Sequence, residues 1–360
     1  MKQNNIATKT SASTHPTSVA TTNDADDCTD ETTSFPTVTS TNSSQSSCFP
    51  ALGFNMPSNV PSSLDGWWCS PTDEYAFLGF SYEISACQSQ SQLIREFKDA
   101  RNTFNARYVR LYGACDDTNY YGKVVEAAWQ AGIGIHALIW FGFDGDNKWI
   151  GRRDSLFSQL HSNPKAKFVT RGVQFGSEPL YDWVMSGTDL AKQVKSAQAN
   201  LKDLSINVTV SDMAYGYQSQ QDSGSQDVLD AIDFVDAHML PYFAQDASTG
   251  DKAWHDDAND MNYFLQHTSN KKIYWSENGW PSTHDCNAGV CPNSPNAVSS
   301  VASEQAYYDL LDSKCSTMKT YPQGGVGWFA HIYSDSQEPG YGIYDVNGKL
   351  KFNFKPRTSC

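Results

Sequence analysis

The sequence predicts an α/β protein, a (β/α)8 TIM barrel preceded by a disordered Ser/Thr-rich N-terminal segment. Three observations carry that expectation. Eight apolar runs rich in β-forming residues recur between residues 77 and 335. Helix-patterned stretches separate them. Residues 77–360, 284 in all, match the size of one such barrel. Strands alternating with helices imply right-handed crossovers and a parallel sheet. A doubly wound sheet is the alternative, but no glycine-rich phosphate turn follows the first strand.

The first strand is the aromatic run FLGFSYEI (77–84), and the second is ARYVRLYG (106–113), where Tyr108, Arg110 and Tyr112 share one face. GIGIHALIWF (132–141) is continuously apolar, as a strand covered on both faces should be. TRGVQFGSEP (170–179) stops at Pro179, INVTVSDM (206–213) is β-branched, and DFVDAHMLPYF (233–243) turns at Pro241. KKIYWSENGWPS (271–282) and GGVGWFAHIYSD (324–335) complete the eight. Between the first two strands, Leu93, Phe97, Ala100 and Phe104 fall on one helical face. Similar patterns run through 124–131, 190–204, 228–232, 259–265 and 302–311.

Ahead of the barrel, residues 7–47 hold 21 Ser or Thr among 41 positions. Such a stretch cannot bury enough apolar surface to offset its ordering entropy, so residues 1–47 read as a disordered, O-glycosylated stalk. Its acidic run from Asp24 to Glu31 reads as a solvated charge patch. Residues 48–76 carry CFPALGF and LDGWWCS, too aromatic for a linker, and are expected to pack over the barrel at 77–360.

Charge narrows the partners. Lys plus Arg total 26 against 40 Asp plus Glu, a formal charge of −14. An acidic chain with no basic cluster repels phosphate backbones, so no nucleic-acid partner is expected. No apolar run approaches the roughly 18 residues that span a bilayer, so no membrane span is expected, and a monomer is the default. Nine cysteines at separated positions point to an oxidising compartment, and the sequons at Asn42 and Asn207 are compatible with secretion. The start, MKQNNIATKTSAST, has no apolar core and is not a signal peptide. Cys48 with Cys69, Cys87 with Cys115 and Cys315 with Cys360 are candidate bridges that leave Cys28 unpaired, although spacing alone does not set connectivity. Cys286 and Cys291 lack the further close pair that a zinc site needs.

In a parallel barrel the reacting groups sit where strands end at the C-terminal face. Glu178 closes the fourth strand in QFGSEPLYD, and Glu277 closes the seventh in YWSENGWPS. Two carboxyls so placed suit glycoside hydrolysis, which needs an acid for the leaving oxygen and a carboxylate to attack or to activate water. Their surroundings suit a sugar, whose C–H faces stack on aromatic rings. Tyr82, Tyr112, Trp140, Phe141, Phe143, Tyr181, Trp183, Tyr215, Tyr242, Phe243, Trp280 and Tyr333 all fall near predicted strand ends. Arg110, facing the same way as Tyr112, needs a carboxylate partner if buried, and Glu277 is the natural one. That pairing would keep Glu277 ionised while a less polar setting keeps Glu178 protonated. His136, His238 and His331 read as core histidines, and with no metal-ligand or phosphate motif neither metal nor cofactor is expected. Asp335 and Glu338, in SDSQEPGYG, read as turn residues.

The SENGWPS, GSEP and RLYG stretches together resemble fungal glycoside hydrolase family 17 from Phe77 to Cys360. That family comprises β-1,3-glucanases and β-1,3-glucanosyltransferases of the large clan of retaining barrel glycosidases. The resemblance implies Glu277 as nucleophile and Glu178 as acid/base, with Arg110 and Tyr242 orienting the nucleophile and Tyr82 contributing to the sugar site. It implies a wall β-1,3-glucan as the polysaccharide substrate, and a secreted or wall-associated place. Tyr112, Tyr215, Trp280 and Tyr333 join the expected sugar contacts. One residue departs from the clan. Ser177 stands where the clan carries an Asn that contacts the sugar 2-hydroxyl, which puts rate and specificity in question. A glucanosyltransferase, a non-catalytic glucan binder and a β-1,4-glucan or mannan hydrolase are the competing readings.

Overall fold

A computed structural model describes residues 48–142, 145–286 and 290–360. The stalk, Cys28, the Asn42 sequon and Phe143 lie outside the described residues. Eight parallel strands close into a barrel in chain order. They are β1 (Ala76–Glu83), β2 (Tyr108–Tyr112), β3 (Gly134–Leu138), β4 (Thr170–Ser177), β5 (Asn207–Met213), β6 (Val235–Met239), β7 (Ile273–Asn278) and β8 (Gly327–Ala330). Several run shorter than the apolar segments that announced them, because pairing ends where the strands splay into the loops.

The helices between them bury one stripe each against the barrel. In α1 (Gln90–Phe104) Ser89 caps the first turn by accepting from the Gln92 amide, and Asn105 ends the helix in the left-handed conformation. Its buried side chains are Leu93, Phe97, Ala100, Phe104 and Arg101. The remaining helices are α2 (Tyr120–Ala131), α3 (Lys148–Ser162), α4 (Ala166–Val169), α5 (Gly187–Leu201), α6 (Ala214–Ser219), α7 (Ser225–Ala231), α8 (Trp254–His267), α9 (Val301–Ser313) and α10 (Cys315–Met318). The pattern reading passed over α3, which buries only Trp149, Leu156 and Leu160 and so carries a thin apolar stripe.

Inside the barrel the lower layer is apolar. Leu78, Tyr108, Phe234, Tyr274 and Phe329 form one cluster, and His136 sits among four of those rings at centroid distances of 5.1–5.6 Å. Glu74 plugs the bottom, accepting from the Tyr108 and Tyr274 hydroxyls and pairing with Arg171 at 3.3 Å. This packed floor leaves only the C-terminal end of the barrel open to chemistry.

Gly79 decides which face of β1 looks inward. A Cβ there would stand 1.8 Å from the Tyr108 carbonyl oxygen, and the pairing with β8 shifts register between Phe77 and Gly79. Leu78 and Ser81 therefore both face the interior, while Phe80 and Tyr82 turn to the helix layer.

Residues 48–76 run beneath that layer. Buried Phe49 stacks on Trp67, and Trp67 lies against Trp129 and donates its indole N–H to the Phe168 carbonyl. Four disulfides join Cys48 to Cys69, Cys87 to Cys115, Cys286 to Cys291 and Cys315 to Cys360. Among the described residues no helix is long and apolar enough to cross a membrane.

Candidate active site

The site is assembled around Arg110, wholly buried in the middle of β2. Its Nη1 donates to Glu277 Oε2 at 2.7 Å, its Nη2 to Ser177 Oγ at 2.7 Å and Ser211 Oγ at 3.2 Å, and its Nε to Gln174 Oε1 at 2.9 Å. A guanidinium is donor-only and permanently charged, so a buried one must be met by acceptors on every side. Strands β4, β5 and β7 supply them. Glu277 lies within β7, and a register shift between Trp275 and Asn278 accompanies its turn toward the interior. Glu178 follows β4 with a left-handed φ of 56°, its amide tied to the Ser211 carbonyl at 2.7 Å. A glutamate held in that region is under local strain, of the kind that concentrates at functional sites.

His238, on β6, spans the two glutamates. Its Nδ1 lies 2.9 Å from Glu178 Oε1, and its Nε2 lies 2.7 Å from Ser211 Oγ and 3.6 Å from Glu277 Oε2. Carboxylate oxygens of Glu178 and Glu277 and a nitrogen of His238 all fall within 4.8 Å of one another. That spacing would also suit a metal ion, but Arg110 already places its cationic charge on the same Glu277 oxygen.

The environments drive the two carboxyls apart. Burial raises Glu178, and the charges of Glu277 and Asp182 add to it, so its pKa lies well above the carboxylate range. Burial opposes the charge on Glu277 as well, but His238, His331 and Arg110 outweigh it and hold that pKa at about 2. Burial pushes His238 itself down to about 4. Near neutral pH the His238 imidazole is therefore uncharged, while Arg110 stays charged beside Glu277, and Glu338 and Glu277 raise the pKa of His331 against its burial. Under Glu178, Asp212 accepts from the amides of Leu180 (2.7 Å), Tyr181 (3.3 Å) and Met213 (2.8 Å), which fixes the loop after β4. Burial, with the Glu178 charge, pushes Asp212 up to about 8.

Of the residues expected here, Arg110, Tyr112, Ser177, Glu178 and Glu277 come together. Tyr112 lies under the Arg110 guanidinium at 5.5 Å and meets Trp140 edge-on at 5.0 Å. Tyr215 stands on the rim, 62% exposed and edge-on to Tyr181. Four others are elsewhere. Tyr82 faces the helix layer with its hydroxyl on Glu96, because the bulge at Gly79 turns that face of β1 outward, and Tyr333, after β8, packs beside it with its hydroxyl on Asp99. Trp280 is buried, its indole N–H on the Val298 carbonyl, and offers no face to a sugar. Tyr242 packs edge-on against Trp280 and makes no hydrogen bond to Glu277.

The sequence reading passed over Gln174, Ser211, Asp212 and Ser276, took His238 and His331 for core histidines, and assigned Glu338 to a turn. Glu338 does sit in that turn segment, and it also pairs with His331 at 3.0 Å, whose ring stands edge-on to Tyr112. A usable signal was present, since polar residues at alternate positions of otherwise apolar strands must find partners inside. Beside the site, a cavity of 370 Å³ between the loops after β2 and β3 is walled by Leu111, Leu138, Trp140 and Arg152, and neither glutamate lines it.

The model of the BtgE/BtgC glycoside hydrolase domain matches residues 79–332, more than two thirds of the 360. A probable glucan endo-1,3-beta-glucosidase btgC of Aspergillus terreus is 26% identical over 238 residues, 62% of this chain and 34% of that protein. Its Aspergillus fumigatus counterpart is 30% identical over 200 residues, 51% of this chain and 27% of that protein. The chain thus spans about a third or less of the length of the curated relatives it matches. Among solved structures, an active-site mutant of Rhizomucor miehei beta-1,3-glucanosyltransferase in complex with laminaritriose is 19% identical, with a TM-score of 0.62 over 80% of this chain and 99% of that one, a likeness of fold. The barrel, its paired strand-end glutamates and the match to residues 79–332 together place this chain in the BtgE/BtgC glycoside hydrolase domain family.

Proposed function

We propose that the chain is a retaining glycosidase acting on β-1,3-glucan through Glu277 as nucleophile and Glu178 as acid/base. The observation that carries the reading is the carboxyl pair itself, with oxygens within 4.8 Å and pKa values displaced in opposite directions. Retaining enzymes hold the two groups about 5–5.5 Å apart, whereas inverting ones leave about 6.5–9.5 Å for a water. Glu277, ionised, attacks the anomeric carbon as Glu178 gives its proton to the departing oxygen. The glycosyl-enzyme then opens as Glu178, now a base, takes a proton from the incoming hydroxyl. Ser177 Oγ accepts from Arg110, which leaves its hydroxyl hydrogen for the sugar 2-hydroxyl. The btgC relatives carry the same substrate class in their names. Four disulfides fit a secreted or wall-associated enzyme.

Transfer to a second sugar is the other reading, and it is favoured by exposed rings after β4 and β5. Tyr181, Trp183 and Tyr215 are 43%, 59% and 62% exposed and suit a bound acceptor. The test is the product profile from a defined linear β-1,3-gluco-oligosaccharide, with Glu277→Gln as control. Shorter products absent in the variant support hydrolysis, and longer products support transfer. Unchanged substrate in both samples overturns the enzymatic reading.

A further inference from the structure

His238 touches both halves of the catalytic pair, and its protonation decides where the acid proton of Glu178 can sit. A neutral imidazole carries one N–H, and its partners choose the nitrogen. On the Nε2 side stand Arg110 Nη2 at 3.3 Å and Ser211 Oγ at 2.7 Å. Arg110 can only donate. Ser211 accepts from Arg110 at 3.2 Å, and with Ser276 Oγ, 2.8 Å away, donating to it rather than to the more distant Ala237 carbonyl at 3.5 Å, its own hydrogen turns to Nε2. Beyond Ser211, Glu277 Oε2 is an acceptor on that side, but at 3.6 Å it is beyond hydrogen-bond length and already held by Arg110 Nη1. On the Nδ1 side is Glu178 Oε1, at 2.9 Å.

We propose that Arg110 and Ser211 hold His238 as the Nδ1–H tautomer, so that Glu178 accepts at Oε1 and carries its acid proton on Oε2. His238 is then a positioning residue, and one guanidinium arranges both glutamates. It pairs with Glu277 directly and directs the Glu178 proton through the imidazole. The opposite tautomer would require Glu178 to donate to Nδ1, turning its proton away from the glycosidic oxygen. During the first step the Oε2 proton passes to the leaving oxygen as the C–O bond breaks, and the new carboxylate keeps the Nδ1–H bond. The charged and titratable groups around the ring are Glu178, Glu277, Arg110, Asp212, Asp182 and His331, and among them only Arg110 is both donor-only and permanently charged.

The inference rests on the glycosidase reading for its role in catalysis, but its core is testable without turnover. Long-range ¹⁵N spectra of histidine-labelled protein, assigned by the signal lost in His238→Asn, should show a protonated Nδ1 and a bare Nε2. The reverse pattern overturns the proposal. For the role in catalysis, His238→Ala and His238→Asn are compared on laminari-oligosaccharides and on 2,4-dinitrophenyl β-glycosides, whose leaving group needs no proton. The loss in His238→Ala should be greater on the oligosaccharide by about 10²-fold. His238→Asn, whose amide can replace the Nδ1–H donor, should recover most of it. Equal losses on both substrates overturn the placement of the acid proton. If the wild type turns over neither substrate, the glycosidase reading fails and the spectra alone decide the tautomer.

Discussion

Glu178 and Glu277 are the same residue type, in the same kind of strand-end position, and the fold gives them opposite protonation. The difference lies in the neighbours. Glu277 faces the guanidinium of Arg110 at 2.7 Å, while Glu178 faces a neutral imidazole and two further carboxylates. Glu277→Gln should therefore lower turnover by about 10³-fold or more, because the isosteric amide removes the proposed nucleophile. In Arg110→Lys the point charge cannot satisfy four acceptors at once. The Glu277 pKa, held at about 2 by His238, His331 and Arg110 against burial, should rise as the Arg110 hydrogen bond is lost. Since the proposed attack needs Glu277 ionised, the acidic limb of the kcat/KM profile should move to higher pH. An unmoved limb would show that Arg110 does not control this carboxyl.

At the scale of elements, the loop after β4 is the piece that makes the cleft. Asp212 stitches it through two amide contacts, to Leu180 and Tyr181, while its other oxygen accepts from Met213 at the end of β5. Asp212→Ala should cost about 1–3 kcal/mol, read by urea unfolding, because buried amides lose their partner. The folded pKa of Asp212, about 8, lies above its ordinary value of 3.8. Its protonation thus adds stability that is fully present below about pH 4 and is lost as pH rises through 8. The difference in stability between wild type and Asp212→Asn should change across that window and be flat below it. The same loop carries Tyr181 and Trp183 on its outer side. Replacing both with Ala should lower the ratio of transfer to hydrolysis products, without abolishing cleavage, as the acceptor platform disappears.

For the whole molecule, the barrel is sealed below by Glu74 and held around its edge by long covalent loops. The Cys315–Cys360 bridge closes 45 residues and ties the stretch carrying Phe352 and Phe354 to α10. In the chain-entropy picture a loop of that length stabilises by roughly 4 kcal/mol. Cys360→Ser should lower the unfolding temperature clearly while leaving the product pattern of the wild type unchanged. A variant with wild-type unfolding temperature would mean that packing of Phe352 and Phe354 alone holds this segment.

Strand count, barrel closure in chain order and the two glutamates were legible in the sequence, because periodicity and strand-end position are local properties. The alternation of Tyr108, Arg110 and Tyr112 put Arg110 on the face of Tyr112 without any coordinates, and the structure shows that face buried inside the barrel. What stayed hidden depended on register and on neighbours distant along the chain. The bulge at Gly79 sends Tyr82 outward, and a pattern of alternating side chains cannot announce one extra residue in a ladder. Trp280 and Tyr333 look like sugar platforms in a list of aromatics, yet burial turns them into packing. His238 reads as a core histidine until β4, β5 and β7 bring Glu178, Ser211 and Glu277 around its ring. The sequence by itself determined the barrel and which residues could react, since both follow from short-range pattern and residue chemistry. Only the tertiary structure decided their protonation and which rings meet solvent, since those depend on burial and charges brought together from separate strands.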